Sequence, residues 1–208
     1  MPRSQAPLIA REGLPFIAAA VAAVIVGYHL FDWSGLAGGS LLLLLTVLIF
    51  RDPYRDVPSV PFGVFSPVDG RVVQIEPSCR GILPREATCI TIRINNFGAY
   101  TIRSPIEGKV LSLREHETEQ AKLQGVNGLW VQNEARDDVV LLFRGPAFIG
   151  RPTAFIRYGE RIGQGKRCAF LRLARYADLY LPVTSRVSVN VGEAVKSGSS
   201  LLATLIHK

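Results

Sequence analysis

The histidines and cysteines, which most often bind metals or act as nucleophiles, are few and scattered in this sequence. They are His29, His116, His207, Cys79, Cys89 and Cys168. None has a neighbour at the spacing of a metal-binding motif, so we expect no metal site. The odd number of cysteines is typical of a reducing compartment, with a Cys79–Cys89 disulfide as the alternative. We interpret His116, which lies between two glutamates, as a solvated loop histidine.

Basic side chains are the more abundant candidates for binding. The 24 Lys and Arg residues exceed the 17 Asp and Glu residues, which gives a net charge of +7 and points to an anionic partner. They form no lysine-rich tail and are not interleaved with aromatic residues, so we expect membrane lipid and no nucleic acid. A basic set in the C-terminal half either binds lipid phosphate or is spread over a β-rich surface. It comprises Arg151, Arg157, Arg161, Lys166, Arg167, Arg172 and Arg175.

Two uncharged apolar runs near the N-terminus predict a transmembrane helical hairpin. Leu14–Leu30 is about long enough to cross a bilayer as a helix, and Leu36–Phe50 is slightly short. The segment between them is turn-prone and contains no Lys or Arg. A cleaved signal peptide is the alternative, but the second run and the lack of a small-residue cleavage site argue against it.

The charges that flank this pair predict its orientation. They are Arg3, Arg11, Arg51 and Arg55. By the positive-inside tendency, both ends of the hairpin face the cytoplasm from the inner (cytoplasmic) membrane. We therefore divide the chain into a membrane anchor, residues 1–57, and a domain facing the cytoplasm, residues 58–208.

Strand signals dominate this second part. Seven segments are short, rich in β-branched or aromatic residues, and bounded by Gly or Pro. They are Val64-Phe65, Arg71–Ile75, Cys89–Ile94, Lys109–Leu113, Val139–Phe143, Ala154–Tyr158 and Phe170–Leu181. Thr118–Leu123 is the one weak helix candidate. We predict a mainly β fold, a sandwich or flattened β-barrel.

An internal repeat refines this prediction. Ser66–Val72 (SPVDGRV) returns as Ser104–Val110 (SPIEGKV), and each predicts a turn that leads into a strand. Val187–Leu202 adds a regular spacing of Val and Gly. Together these elements resemble the barrel-sandwich hybrid fold of lipoyl and biotinyl carrier domains. Carriers modify a lysine in an exposed hairpin, whereas Lys196 lies in a strand–turn segment, so we expect no carrier role.

Six segments along nearly the whole chain match the motifs of one known family in order. They are Arg11–Phe16 (the family's opening), Phe50–Arg55 (its FFRDPER), Ser66–Val72 (its SPADGKV), Phe97–Pro105 (its F-x-x-HVNR-x-P), Asn133-Glu134 (its NER) and Asp178–Pro182 (its DVYLP). Through these motifs the chain resembles the short, membrane-anchored phosphatidylserine decarboxylase proenzymes. The resemblance implies that the chain acts in phospholipid metabolism, the pathway in which phosphatidylethanolamine is made.

The resemblance also implies a particular reaction. The family's proenzyme cleaves itself at a Gly-Ser bond, and the serine becomes a pyruvoyl group that decarboxylates the substrate through a Schiff base. An Asp-His-Ser arrangement supports the cleavage. Residue by residue, the aspartate falls on Asp69, the histidine on Tyr100, and the Gly-Ser pair on Ala174-Arg175. Arg103 and Arg172 match family arginines and, with Arg175, are our candidates for binding lipid phosphate.

The replacements remove the groups that this chemistry uses. Arginine has no nucleophilic oxygen and cannot become a pyruvoyl group, and the tyrosine phenol, which titrates at about 10, is a poor base at neutral pH. No Ser or Thr lies between Gly165 and Leu181, and Gly198-Ser199 lies in the carrier-like turn. Asp69 is then interpreted as a turn residue whose carboxylate bonds local backbone amides. We expect neither a pyruvoyl group nor an external cofactor.

Three hypotheses follow for the function. In the first, a catalytically inactive homologue binds anionic phospholipid or modulates an active lipid enzyme, and Arg175 holds a phosphate or carboxylate. In the second, the chain still decarboxylates phosphatidylserine by another route. In the third, it is a membrane-anchored scaffold whose β domain is an interaction module. The protein partners expected are a second copy of the chain or an active lipid enzyme.

Overall fold

The computed structural model describes residues 10, 13–79, 86–95, 98–111, 127–145, 153–170 and 174–206. Contacts divide the chain into two compact units, Met1–Tyr54 and Arg55–Lys208. The boundary between them lies three residues before the one predicted from the sequence. Some predicted features lie outside the described residues, namely Arg151, Arg172, His116, His207 and Thr118–Leu123.

One long apolar helix, α1 (Leu14–Phe50), dominates the first unit. Pro15 lies in its first turn, where the missing N–H leaves no helical hydrogen bond unmade. Within the described residues, α1 is the one helix long and apolar enough to cross a membrane. The sequence predicted two helices with a five-residue linker. In the structure the helix continues through most of that linker and is interrupted at Asp32, where φ is 50° and ψ is −132°.

The helical segments on the two sides of Asp32 contact each other. The rings of Phe16 and Phe50 stack with their centroids 5.2 Å apart. Nearer to Asp32, a Cβ added to Gly39 would lie 2.7 Å from Cα of Val24, so glycine allows the two backbones to approach closely.

The second unit contains 14 strands within the described residues. They are β1 (Gly63–Phe65), β2 (Gly70–Cys79), β3 (Ala87–Ile94), β4 (Thr101–Arg103), β5 (Gly108–Leu111), β6 (Asn127–Gln132), β7 (Asp138–Arg144), β8 (Thr153–Ala154), β9 (Arg161–Ile162), β10 (Arg167–Phe170), β11 (Tyr176–Pro182), β12 (Arg186–Val187), β13 (Ala194–Val195) and β14 (Leu201–Thr204). The mainly β prediction is confirmed.

The strands form three antiparallel sheets. The largest has eight strands in the order β13-β2-β3-β11-β7-β6-β5-β9, and the two small sheets have the orders β1-β14-β12 and β4-β10-β8. In the described residues, the large sheet ends on each side in a strand of two residues that pairs with one neighbour only. The flattened-barrel prediction is therefore wrong, because the large sheet stays open.

Alternation along the central strand β11 separates the two faces of the large sheet. Ala177, Leu179 and Leu181 are fully buried in a core cluster that also receives side chains from both small sheets. Burying each such leucine contributes about 1.5–3 kcal/mol to folding. The side chains between them, Asp178 and Tyr180, lie on the opposite face.

Two strand predictions differ from the structure. The predicted strand Phe170–Leu181 is two strands, since β10 pairs with β4 whereas β11 pairs with β3 and β7 in a different sheet. Of the predicted strand Ala154–Tyr158, only Ala154 is in a strand. The residues after it bend and lead to the turn at Gly159. Strand β6 was not predicted, because it begins with a polar residue and a glycine, Asn127-Gly128, which interrupt the run of apolar residues typical of a strand.

The two turns that the sequence repeat predicts have matching hydrogen bonds. The hydroxyl groups of Ser66 and Ser104 each donate to the carbonyl oxygen two residues later, at 2.7 Å in both cases. The residue before each turn bonds to the other turn. The N–H of Phe65 donates to the carbonyl oxygen of Pro105 at 2.9 Å, and the N–H of Arg103 donates to the carbonyl oxygen of Pro67 at 3.0 Å. The two hydrogen bonds are therefore reciprocal.

A glycine-bounded segment from later in the chain completes each turn. Gly192–Gly198 lies beside Ser66–Val72 and forms the first repeat with it, and Gly159–Gly165 lies beside Ser104–Val110 and forms the second. The glycines that bound these segments all have φ between 68° and 92°, a backbone region that favours glycine. The first of these segments, within Val187–Leu202, was recognised in the sequence, and the second was not.

Candidate functional site

The predicted site residue Asp69 is buried and accepts three hydrogen bonds. Its Oδ2 accepts from Nη2 of Arg55 at 2.8 Å and from the N–H of Ala99 at 3.2 Å. Its Oδ1 accepts from the N–H of Ser197 at 2.8 Å. The interpretation that Asp69 bonds local amides needs correction, because Ala99 and Ser197 lie 30 and 128 positions away. This carboxylate therefore joins three distant segments of the second unit, which we call the β unit.

The structure places Arg103 inside the β unit. Its side chain lies against Gly198, where an added Cβ would be 2.8 Å from Cδ of the arginine, and its Nη1 donates to the carbonyl oxygen of Gly165 at 3.2 Å. The residue is 7% exposed. Its role in lipid-phosphate binding stays a prediction, and its burial between the two repeats weighs against that role.

The residue at the position of the family's histidine, Tyr100, packs against an aromatic neighbour. Its ring centroid lies 6.3 Å from that of Phe170, with the ring planes inclined by 53°. Partial burial raises the pKa of the Tyr100 phenol above its ordinary value. The phenol is therefore protonated near neutral pH and has no lone pair basic enough to deprotonate a hydroxyl group.

The residue at the position of the family's serine, Arg175, is exposed on a polar cleft of about 560 Å³. Arg71, Arg93, Asn95 and Tyr176 also line this cleft. The backbone of Arg175 is held in the large sheet, since its N–H donates to the carbonyl oxygen of Arg144 at 2.9 Å. We call this cavity the arginine cleft.

Of the three predicted catalytic positions, the described lining of the arginine cleft includes Arg175. Neither Asp69 nor Tyr100 is among the described residues that line the arginine cleft, although Gly70 and Asn95, close to each of them in the chain, are. Arg175 instead lies with Arg71 and Arg93.

Strand register accounts for three of the residues that line the cleft, Arg71, Arg93 and Tyr176. Arg71 on β2, Arg93 on β3, Tyr176 on β11 and Arg144 on β7 lie directly opposite one another in four neighbouring strands. Residues opposite each other in antiparallel strands point to the same face of the sheet, so this row presents three arginines and a tyrosine together. Arg71 and Arg93 were not predicted as site residues, because the register of distant strands cannot be read from local alternation.

Arg144, at one end of the row, has a buried anionic partner that was not predicted as a site residue. Asp178 accepts a hydrogen bond from Nη2 of Arg144 at 2.8 Å and another from the hydroxyl of Thr91 at 2.7 Å. The hydrogen bond to Asp178 raises the pKa of the Arg144 guanidinium. That guanidinium also lies over the ring of Tyr176, 5.5 Å from its centroid.

The cysteines are all free thiols. The Cys79–Cys89 disulfide alternative is thus not the state in the structure. Burial raises the pKa of the Cys79 thiol and raises those of Cys89 and Cys168 to about 12, so the three stay protonated near neutral pH. In the described residues, no three His, Cys, Asp or Glu side chains cluster so as to hold a metal ion.

A second cleft, of about 390 Å³, lies at the second repeat. Glu107, Asn133, Glu134 and Arg161 are among the residues that line it, and Arg161 forms an ion pair with Glu134. The pair Asn133-Glu134, which resembles the family's NER motif, therefore lies in this cleft and not in the arginine cleft. We call it the acidic cleft.

The family model and the curated relatives that match this chain indicate one family. The family model described as phosphatidylserine decarboxylase matches residues 42–203. A phosphatidylserine decarboxylase proenzyme of Nitrosomonas europaea is 31% identical over 205 residues, 95% of each chain. Those of Burkholderia vietnamiensis and Burkholderia ambifaria are 34% and 35% identical, over 96% of this chain and 97% of theirs. A solved structure, glucose permease IIA from Mycoplasma capricolum, aligns with a TM-score of 0.46 and 12% identity over 68% of this chain and 93% of that chain. This chain belongs to the phosphatidylserine decarboxylase family.

Proposed function

We propose that this chain is a membrane-anchored member of its family that does not cleave itself, forms no pyruvoyl group, and binds anionic phospholipid at the membrane. The observation that carries the proposal is the side chain at residue 175. The family's motif places the serine there that becomes the pyruvoyl group, and this chain has an exposed arginine. A guanidinium supplies five N–H donors and no nucleophilic oxygen, so the position is suited to binding an anion.

The surroundings of the other two motif positions also support loss of the reaction. The phenol of Tyr100, with its raised pKa, cannot act as the base that a serine would need. The carboxylate of Asp69 already accepts from Arg55, Ala99 and Ser197, so it serves to hold the fold. The proposed role is therefore to bind lipid or to modulate an active lipid enzyme.

We infer that α1 forms a helical hairpin in the membrane. At about 1.5 Å per residue a straight helix of 37 residues would be about 55 Å long, well beyond a bilayer core of about 30 Å. The break at Asp32 leaves two arms of about 18 residues, each about 27 Å long. The contacts of Phe16 with Phe50 and of Gly39 with Val24 support two adjacent arms.

This hairpin would return the chain to the side from which it entered, so the β unit would face the cytoplasm of the inner membrane. Fusions of alkaline phosphatase, which is active only outside the cytoplasm, test the arrangement. We expect an active enzyme when it is fused after Ser34 and an inactive one when it is fused after residue 208. Activity of the second fusion would contradict the hairpin.

Self-cleavage is tested by the intact mass of the full chain, purified in detergent and checked by denaturing electrophoresis. We expect one chain at 22.8 kDa and no carbonyl group that reacts with hydroxylamine. Two fragments that divide near residue 174 would overturn the proposal. Release of carbon dioxide from carboxyl-labelled phosphatidylserine by the uncut chain would instead favour decarboxylation by another route.

Rebuilding the motif sharpens this test. Arg175→Ser alone should leave the chain uncut, because the neutral phenol of Tyr100 cannot accept the serine proton. The triple variant Tyr100→His, Ala174→Gly and Arg175→Ser should yield two fragments on denaturing gels. Arg186→Ser, at an exposed residue of β12, is the matched control and should stay intact. Cleavage of the single variant would show that Tyr100 does not limit the reaction.

A further inference from the structure

The arginine cleft has an unbalanced charge. The described residues that line it include three arginines, Arg71, Arg93 and Arg175, and no acidic residue. Asn95 adds a polar side chain to the same cleft. An acidic side chain does lie nearby on the same sheet face, but Asp178 is buried and already bonded to Arg144 and Thr91. The cleft therefore presents three cations with no described anionic partner.

The position of two of these arginines is unfavourable without a ligand. Arg71 and Arg93 are directly opposite each other on β2 and β3, and like charges at directly opposed positions destabilise an antiparallel pair. Arg71 is also held in place, since its Nη1 donates to the carbonyl oxygen of Gly192. A bound anion between the two guanidinium groups would convert their repulsion into attraction.

We propose that the arginine cleft is a binding site for a phosphomonoester dianion. A phosphomonoester carries about −1.5 to −2 charges at pH 7 and three terminal oxygens, and planar guanidinium groups bind such oxygens in pairs. A phosphodiester or a carboxylate carries a single negative charge and balances three arginines less well. The volume of about 560 Å³ lies within the usual range of ligand sites and leaves room for the group that bears the phosphate.

The same charges disfavour the amino-containing head group that the family name implies. In phosphatidylserine the ammonium group is next to the carboxylate, so in a cleft lined by Arg71, Arg93 and Arg175 its repulsion offsets part of the attraction for the carboxylate. The site therefore selects a phosphomonoester without an amine, either a lipid such as phosphatidate or a soluble phosphate ester. This inference rests on the proposed loss of self-cleavage, because it requires the side chain of Arg175 to be present on an uncut chain.

Isothermal titration of the full chain in neutral detergent tests the site. The ligands are dioctanoyl phosphatidate, dioctanoyl phosphatidylglycerol as the diester, dioctanoyl phosphatidylserine, and glycerol phosphate as the soluble monoester, all at one ionic strength. We expect phosphatidate to bind at least about 10-fold more tightly than either diester, a difference of about 1.4 kcal/mol. If glycerol phosphate binds as tightly as phosphatidate, the ligand is a soluble ester; if it binds far more weakly, the ligand is a lipid.

Variants assign the binding to the cleft. Arg93→Gln should weaken phosphatidate at least about 10-fold, and Arg93→Lys should weaken it by a smaller factor, because lysine keeps the charge and loses the paired N–H donors. Arg186→Gln removes the same charge from exposed β12, outside the cleft, and should change affinity less than about 2-fold. Thermal unfolding of each variant shows that it is folded.

Two results would overturn the proposal: equal affinity for the monoester and the diesters, or equal losses in Arg93→Gln and Arg186→Gln. The intact mass, measured on the same samples, separates this failure from that of the proposed function. An uncut chain that binds all anionic lipids alike would contradict only the phosphomonoester site. A cut chain would contradict the proposed function itself.

Discussion

The two repeats of the β unit have matching backbone hydrogen bonds and opposite charge. In the first repeat, the turn Ser66–Val72 leads into the arginine cleft, whose described lining includes three arginines and no acidic residue. In the second, the turn Ser104–Val110 leads into the acidic cleft, where Glu107 and Glu134 lie beside a single arginine, Arg161. The difference teaches that the backbone sets where a cleft forms and that the side chains alone decide which ligand charge it suits.

The acidic residue at the fourth position of each turn shows the same division. Asp69 in the first repeat is 8% exposed and accepts from Arg55, Ala99 and Ser197. Glu107 in the second repeat is exposed. One carboxylate is therefore part of the fold, and the other is free to act at a surface.

The largest expected effect comes from removing the buried carboxylate. Asp69→Ala leaves the N–H groups of Ala99 and Ser197 and the guanidinium of Arg55 without their acceptor. Breaking such a part-buried pair and leaving donors unbonded costs about 3–5 kcal/mol. Denaturant unfolding of the full chain in detergent, followed by circular dichroism of the β signal, measures the change.

The matched control is Glu107→Ala in the second repeat. The side chain there is exposed, so we expect the free energy of unfolding to change by about 0.5 kcal/mol or less. Similar losses in the two variants would break the comparison, because they would mean that both turns depend on their carboxylates.

A smaller effect tests the likeness of the two backbones. A Cβ on Gly70 would overlap the carbonyl oxygen of Arg93, and one on Gly108 would overlap that of Gln132. Each Gly→Ala change should therefore lower the free energy of unfolding by about 2–3 kcal/mol, with the two values close to each other. Gly192→Ala is the control, because no atom lies within 4 Å of its added Cβ. Only the backbone strain at φ = 92° should then lower the free energy of unfolding, by about 1 kcal/mol.

These values come from the same denaturant unfolding curves. If Gly70→Ala were costly and Gly108→Ala nearly neutral, the second repeat would not share the close strand contact of the first, and the equivalence would be limited to hydrogen bonds.

Part of this fold could be predicted from the sequence because its signals are local. The apolar N-terminal segment, the β-branched strands and the paired turns at Ser66 and Ser104 each depend on residues within about ten positions of one another. The segment Gly159–Gly165 (GERIGQG) was missed although its signal is also local, because it shares its end glycines, a glutamate and a β-branched residue with Gly192–Gly198 (GEAVKSG). The two segments also agree in the positive φ of their end glycines and in the carbonyl groups that these glycines bond.

The candidate site was less predictable, since its contacts join distant parts of the chain. A turn with proline and glycine is typical of a surface, yet Asp69 is buried by donors up to 128 positions away. The row that contains Arg71, Arg93 and Tyr176 exists only in the register of β2, β3 and β11. The family's motif pointed to Arg175 in the sequence. Only the folded structure shows that Arg71 and Arg93 line the same cleft.

The smallest effect concerns one pair of equivalent buried residues. Strands β10 and β14 each contain one residue that has no opposite residue on the partner strand, at the point where the register shifts. These residues are Cys168 and Leu202, and both are buried. Burial raises the pKa of the Cys168 thiol from 9.0 to about 12. The folded state thus favours the neutral thiol, so its contribution to stability is complete below pH 9.0 and is lost progressively as the pH rises towards about 12.

Cys168→Val makes the second repeat resemble the first at this position, with an apolar side chain that cannot ionise. Between pH 8 and pH 10 the wild-type chain should lose about 1.3 kcal/mol more than the variant, since only its unfolded state gains the free energy of thiol ionisation. Cys89, whose thiol pKa is also raised to about 12, is present in both chains and its contribution cancels. Denaturant unfolding at the two pH values measures the difference. Identical pH dependence would mean that Cys168 reaches solvent, and that the two shifts of register are not equally buried.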